Sequence, residues 1–108
     1  MNGYGTLIAQ TGLNGDSTTP AFRTDQRDPQ SHVPVAVTIT GTVAGVDLLG
    51  QVTPQDTPVV IHTFTANGGI NATKFPLLSV RVRGASNAGV RVSVATGLTP
   101  LVAANFSR

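Results

Sequence analysis

The stretch Val33–Val43 constrains this chain more than any other. Val33, Val35, Val37, Ile39 and Val43 occupy odd positions, and Ala36, Thr38, Thr40 and Thr42 lie between them. Successive side chains leave a strand on opposite sides, so this alternation fits a strand with one buried face and one wet face. Two later runs repeat it. Leu78, Val80 and Val82 alternate with Ser79, Arg81 and Arg83, and Val90, Val92 and Val94 alternate with Arg91 and Ser93. No window shows the 3.6-residue apolar period of an amphipathic helix.

The rest of the chain is punctuated in the same style. Strands are predicted over 4–11, 21–24, 33–43, 46–52, 59–66, 77–84, 90–96 and 100–104. Asn14-Gly15 reads as a turn. Ala44-Gly45 reads as the turn of a hairpin whose return strand is Val46–Val52. Residues 53–58 carry two prolines and read as a loop, as does the Gly/Asn stretch 67–73. Ala85–Gly89 gives the tightest hairpin signal, with Asn87 and Gly89 able to take positive φ. Turn signals at intervals of roughly eight to twelve residues predict an all-β fold, a small antiparallel β-sandwich or barrel of about six to eight short strands.

A chain of 108 residues makes one domain. Within it, residues 1–32 are patterned more weakly than 33–108. The polar segment 25–32, with Asp25, Arg27, Asp28 and Pro29, has no large apolar residue. The expectation is an extended N-terminal arm on a β-sandwich core, the arm ordering against a neighbouring subunit.

Composition narrows the function classes. The absence of Cys excludes disulfides, thiolate metal sites and a Cys nucleophile. Charged residues are 11% of the chain and the net charge is +2, too sparse for a nucleic-acid-binding surface. No apolar run reaches the ~20 residues of a membrane-spanning helix. Met1–Gly5 has neither the basic start nor the apolar core of a signal peptide. His32 and His62 lie in no nucleophile-elbow pattern, and Asp56 is the acid nearest His62 in sequence. Asn14-Gly15-Asp16 and Asp25–Asp28 lack the alternating acids and terminal Glu of a calcium loop. The reading is a non-enzymatic protein with no cofactor and no metal.

The charged set that stands out is Arg81, Arg83 and Arg91. Alternation puts all three on the face opposite the valines. Like charges side by side on a sheet destabilise it unless an acid lies between them. Two partners are open: Asp residues of the same chain, or carboxylates of another chain, to which an Arg fork binds bidentately. With Phe22, Arg23, Asp25, Arg27 and Asp28 of the arm, these arginines are the candidate protein-contact residues. The Thr-rich outer positions (Thr38, Thr40, Thr42, Thr63 and Thr65) predict a flat, weakly charged face poorly defended against pairing with another chain.

Residues 33–97 resemble small β-sandwich structural proteins of tailed-bacteriophage virions. The resemblance rests on Val37-Thr38-Ile39-Thr40-Gly41-Thr42-Val43-Ala44-Gly45-Val46, on Phe64-Thr65-Ala66-Asn67-Gly68, and on Leu78–Arg83 followed by Val90–Val94. Where members carry an Asp-Gly-x-x-Trp turn, this chain reads Val52–Pro58. The resemblance implies a capsid decoration (cement) protein that binds the major capsid protein or another virion protein, as a homo-oligomer, commonly a trimer. The implied place is the virion, assembled in the bacterial cytoplasm, with no membrane or nucleic-acid partner. A tail or fibre component and a carbohydrate-binding attachment module are the alternatives. Tyr4, Phe22, Phe64, Phe75 and Phe106 are the aromatics available to a sugar site.

Overall fold

The computed structural model describes residues 4–27 and 29–100. They form β1 (Gly5–Thr18), β2 (Phe22–Thr24), β3 (His32–Thr42), β4 (Gly45–Gln51), β5 (Val59–Phe64), β6 (Gly68–Thr73), β7 (Leu77–Val94) and β8 (Leu98–Pro100). All eight belong to one antiparallel sheet. The predicted all-β class is therefore the observed one.

The sheet is built on β7. On one flank β1 pairs along it from Gly5 opposite Val94 to Thr18 opposite Arg81. β2 prolongs that row with Phe22 opposite Leu78. On the other flank β3 borders the second half of β7, with Val35 opposite Val94 and Ile39 opposite Val90. β4 borders the first half, from Gly45 opposite Arg83 to Gln51 opposite Leu77. Outside them lie β6 against β3 and β5 against β4. β8 pairs with β2. The chain thus makes four long antiparallel passes: β1–β2, β7, β3–β4 and β5–β6.

The passes bend at a common level, which forms a crease across the sheet. On β7 it lies between Gly84 (φ 60°) and Asn87 (φ 47°), and on β1 between Gly12 (φ 68°) and Gly15 (φ 77°). There Leu13 and Gly15 oppose Ala88 and Ala85 through slipped register. The β3–β4 pass turns the crease after Gly41 (φ 76°), where the pairing with β7 shifts between Thr40 and Thr42. A left-handed residue and an extra residue on one strand are what a β-bulge uses to bend a sheet. A Cβ on Gly41 would run into the carbonyl oxygen of Asn87 and come within 2.9 Å of Ala88 Cα. Two side chains of β1 hold the bend. Asp16 Oδ1 accepts the Gly84 N–H at 2.8 Å, and Asn14 Oδ1 accepts the Asn87 N–H at 3.0 Å.

The crease explains the core. Val33, Val35 and Val37 of β3, Val46 and Leu48 of β4, and Leu78, Val80, Val82, Val90, Val92 and Val94 of β7 form one buried cluster with Leu7, Ile8, Phe64 and Ala72. A flat sheet would leave that face wet, yet Val33, Val80 and Val82 are 0% exposed. The two halves must therefore cover each other. Each fully buried aliphatic side chain contributes about 1.5–3 kcal/mol, an upper figure because unfolded chains are partly compact.

Four sequence expectations are corrected. Ala85–Gly89 is no hairpin turn: β7 passes straight through it, and the positive φ of Asn87 serves the bend. β4 is no return strand, since it continues in the direction of β3 along β7. Asn14-Gly15 lies within β1. Residues 68–73, read as loop, are strand β6, whose small side chains need only one partner strand, with Ala72 buried opposite Val33. Hairpins and bulged bends both demand positive φ, so Gly and Asn signal either one. In the N-terminal region the strands expected at 4–11 and 21–24 are present as β1 and β2, but β1 runs on to Thr18, so residues 12–18 are woven into the sheet and do not form an arm. The terminal strand expected at 100–104 lies largely outside the described residues, although Leu98–Pro100 is a strand.

Candidate interaction surfaces

Asp47 stands at the centre of the charged geometry. Its neighbours Val46 and Leu48 face the core, so alternation turns its side chain outward. Across the sheet from it lie Arg81 on β7 and Thr63 on β5. Arg83, two residues along, reaches the same place. Arg81 Nε and Nη2 meet Asp47 Oδ2 at 2.9 and 2.8 Å. Arg83 Nε lies 2.8 Å from Oδ2 and its Nη2 donates to Oδ1 at 3.1 Å. Thr63 Oγ1 donates to Oδ1 at 2.7 Å. The arginine stems roof the carboxylate, so Asp47 is only 1% exposed although it lies on the outer face.

Burial alone would push the Asp47 carboxyl up. The hydrogen bonds from Arg83, Thr63 and Arg81 and the Arg83 charge outweigh it and hold the group below the usual carboxylate value. The same contact raises the Arg83 guanidinium. One carboxylate between two guanidiniums also answers the like-charge problem of neighbouring arginines. Of the two partners left open by the sequence, Arg81 and Arg83 take an Asp of their own chain.

Arg91 is not part of this cluster. It lies beyond the crease on the other half of β7, exposed, opposite Ala9 and Thr38. Its side chain makes no hydrogen bond or ion pair among the described residues. The three arginines share strand parity but form no continuous stripe. Around Arg91 the outer face is shallow and made of small side chains. Ala9, Thr11, Thr38, Thr40 and Gly89 line a hollow of about 280 Å³ with it. A second hollow of about 310 Å³ adjoins Tyr4, Pro34, Ala36 and Ser93.

The candidate residues of the N-terminal region separate in the same way. Phe22 is half-buried against the core cluster. Arg23 is exposed between Leu77 and Thr99. Asp25 accepts the Arg27 backbone N–H at 3.0 Å and its Nε at 3.1 Å. Those hydrogen bonds lower the Asp25 carboxyl and raise the Arg27 guanidinium. Asp28 lies outside the described residues. Arg23, Asp25 and Arg27 line an open polar hollow of about 390 Å³ beside Gly97, Leu98 and Thr99.

The remaining chemistry-bearing residues are dispersed. His32 Nδ1 lies 3.1 Å from Ser31 Oγ, and His62 packs edge-on against Phe64 at 4.6 Å between ring centroids. Among the described residues no three His or Asp side chains converge as metal ligands. Asn14 and Asp16, weighed as calcium ligands, bind the β7 backbone. Among the described aromatics Phe64 is buried, Phe22 and Phe75 are half-buried, and Tyr4 is 85% exposed. No helix among the described residues is long and apolar enough to cross a membrane.

Asp47 is the residue that sequence reasoning passed over. Its signal was there: a lone acid between Val46 and Leu48-Leu49 in a strand. A carboxylate in such a setting needs cationic partners, and Arg81 and Arg83 were the candidates at hand. Comparison of the chain with protein-family models, with curated proteins and with solved structures gives no match.

Proposed function

We propose that this chain is a non-enzymatic structural protein of a tailed-phage virion, and specifically a capsid decoration protein that binds the major capsid protein on the assembled head. It works as one of many copies, as a homo-oligomer, with the trimer as the form such proteins commonly take. The observation that carries the reading is the shape and chemistry of the outer face around Arg91. Ala36, Thr38, Thr40, Gly69 and Ser93 make it shallow, small-featured and weakly charged. Small-molecule sites are concave, with a few convergent polar groups. Protein contacts favour broad patches depleted in charge at their centre. Many such contacts, each weak, stabilise a shell through multivalency.

The test is co-sedimentation of the purified protein with empty, expanded heads of the phage that encodes it. Saturable binding, abolished by Thr38→Glu with Arg91→Glu, is the expected result. Failure to bind such heads refutes the decoration role. Binding to purified tails instead would favour the tail or fibre alternative. The carbohydrate-binding alternative has one observation in its favour, the exposed Tyr4 ring beside Pro34 and Ser93. A glycan array without binding removes it.

A further inference from the structure

Among the described residues Arg91 has no counter-charge, because each described carboxylate is engaged elsewhere. Asp16 accepts the Gly84 N–H, and Asp25 holds Arg27. Asp47 sits between Arg81 and Arg83, and Asp56 Oδ2 accepts the Thr53 N–H at 2.9 Å. Arg91 lies on β7 between β1 and β3, opposite Ala9 and Thr38. It therefore stands in the middle of the outer face and not at a rim.

The hollow beside it adds hydrogen-bonding groups. Thr11, Thr38 and Thr40 line it, and their hydroxyls, like the Arg91 guanidinium, bond to no described residue. Gly89 lies between two of these threonines. A Cβ there would come within 2.6 Å of Thr40 Oγ1 and 3.5 Å of Thr11 Cγ2, so the lack of a side chain keeps the hollow open. Five guanidinium N–H donors beside three rotatable hydroxyls suit an acceptor that carries negative charge.

We infer that the partner protein brings an Asp or Glu side chain into this hollow, where its carboxylate pairs with Arg91. The inference rests on the reading of this face as the contact surface of the virion protein. A protein laid over the face displaces the water around Arg91. A guanidinium covered without a partner is an unpaired buried charge, and its cost exceeds what the small neutral contacts around it return. The covering surface therefore has to supply an anion at that point.

Other occupants fit less well. A free carboxylate gains little from one guanidinium open to water. A second copy of this chain has its described carboxylates bound to their own neighbours. Nucleic acid is held by many cations along its backbone, whereas Arg91 is a single charge among Ala, Thr, Ser and Gly side chains.

The experiment is co-sedimentation with empty, expanded heads of the phage that encodes the chain, at low and at high salt. The half-saturating concentration of the unchanged protein should rise with salt. Arg91→Gln strands the partner's carboxylate. It should raise that concentration at least ~10-fold at low salt and flatten its dependence on salt. Arg23→Gln removes the same charge from an exposed site on the other half of the sheet, and should bind as the unchanged protein does. Arg91→Lys places an amine at the hollow. A carbodiimide couples an amine to a carboxylate in contact with it, forming an amide as the reagent takes up the water lost. Peptide mass spectrometry should then find position 91 joined to an Asp or Glu of a head protein. If Arg91→Lys does not bind, the salt profiles decide alone. Saturable binding that Arg91→Gln leaves intact overturns the inference and spares the decoration role. An equal loss in Arg23→Gln also overturns it, as does bound Arg91→Lys that couples only at other positions. Heads that bind none of the proteins refute the decoration role and the inference with it.

Discussion

Replacing Asp47 by Asn tests the reading of the charged cluster most directly. The side chain keeps its shape and loses its charge, and its amide N–H₂ then faces two guanidiniums that also only donate. Removing one partner of a fully buried ion pair costs about 3–5 kcal/mol. Here the arginine side chains are 42% and 40% exposed, so they can turn to water and leave no stranded charge. The cost should fall to about 2–3 kcal/mol, near the worth of one or two hydrogen bonds to a charged group. For a domain of this size that lowers Tm by about 8–12 °C. Urea unfolding followed by far-UV circular dichroism is the assay, and the m-value should not change. Arg81→Ala alone should cost about 1 kcal/mol or less, because Arg83 still grips both carboxylate oxygens. The pH dependence follows from the lowered Asp47 pKa. The unfolded chain takes up this proton first, so the stability that Asp47 supplies is complete above the ordinary carboxylate value. It is lost as the pH falls through the lower folded value. The gap between wild type and Asp47→Asn should therefore hold from neutral pH down to the ordinary range and close below it. A loss under ~0.5 kcal/mol at neutral pH, the size of an ordinary surface substitution, would refute the reasoning.

Four further substitutions, at three positions, probe the crease, each by thermal or urea unfolding. Gly41→Ala puts a methyl group against the Asn87 carbonyl in a left-handed backbone and should cost about 2–3 kcal/mol. Asn87→Gly should change stability by less than ~0.5 kcal/mol, while Asn87→Val, β-branched at φ 47°, should cost about 1–2 kcal/mol. Asp16→Ala removes the acceptor for the Gly84 N–H and should cost about 0.5–1.5 kcal/mol, with faster hydrogen exchange of the Gly84 amide as its local mark.

Strand existence was legible because alternation is a local property. Val33–Val43, Leu78–Arg83 and Val90–Val94 declared their buried faces without knowledge of any partner. Strand direction was not legible. Asn87, Gly84 and Gly15 announce positive φ, and only the pairing of β1 with β7 shows whether such a residue reverses the chain or creases it. β6 was missed because Gly68-Gly69-Ile70-Asn71 has loop composition, while its strand character is imposed by β3. Arg81 and Arg83 were recognised as a charged pair in need of an acid. The identity of that acid depends on β4 lying beside the first half of β7, a long-range fact.

The crease has a consequence for biogenesis. The earliest strand, β1, has β7 as its partner, and Gly5 sits opposite Val94. During translation β1 has nothing to zip onto until β7 has left the ribosome. Topologies with such distant pairings fold slowly. β1 therefore stays unpaired and aggregation-exposed while the strands up to β7 are made, and a truncation before Leu77 would remove the template on which both flanks assemble.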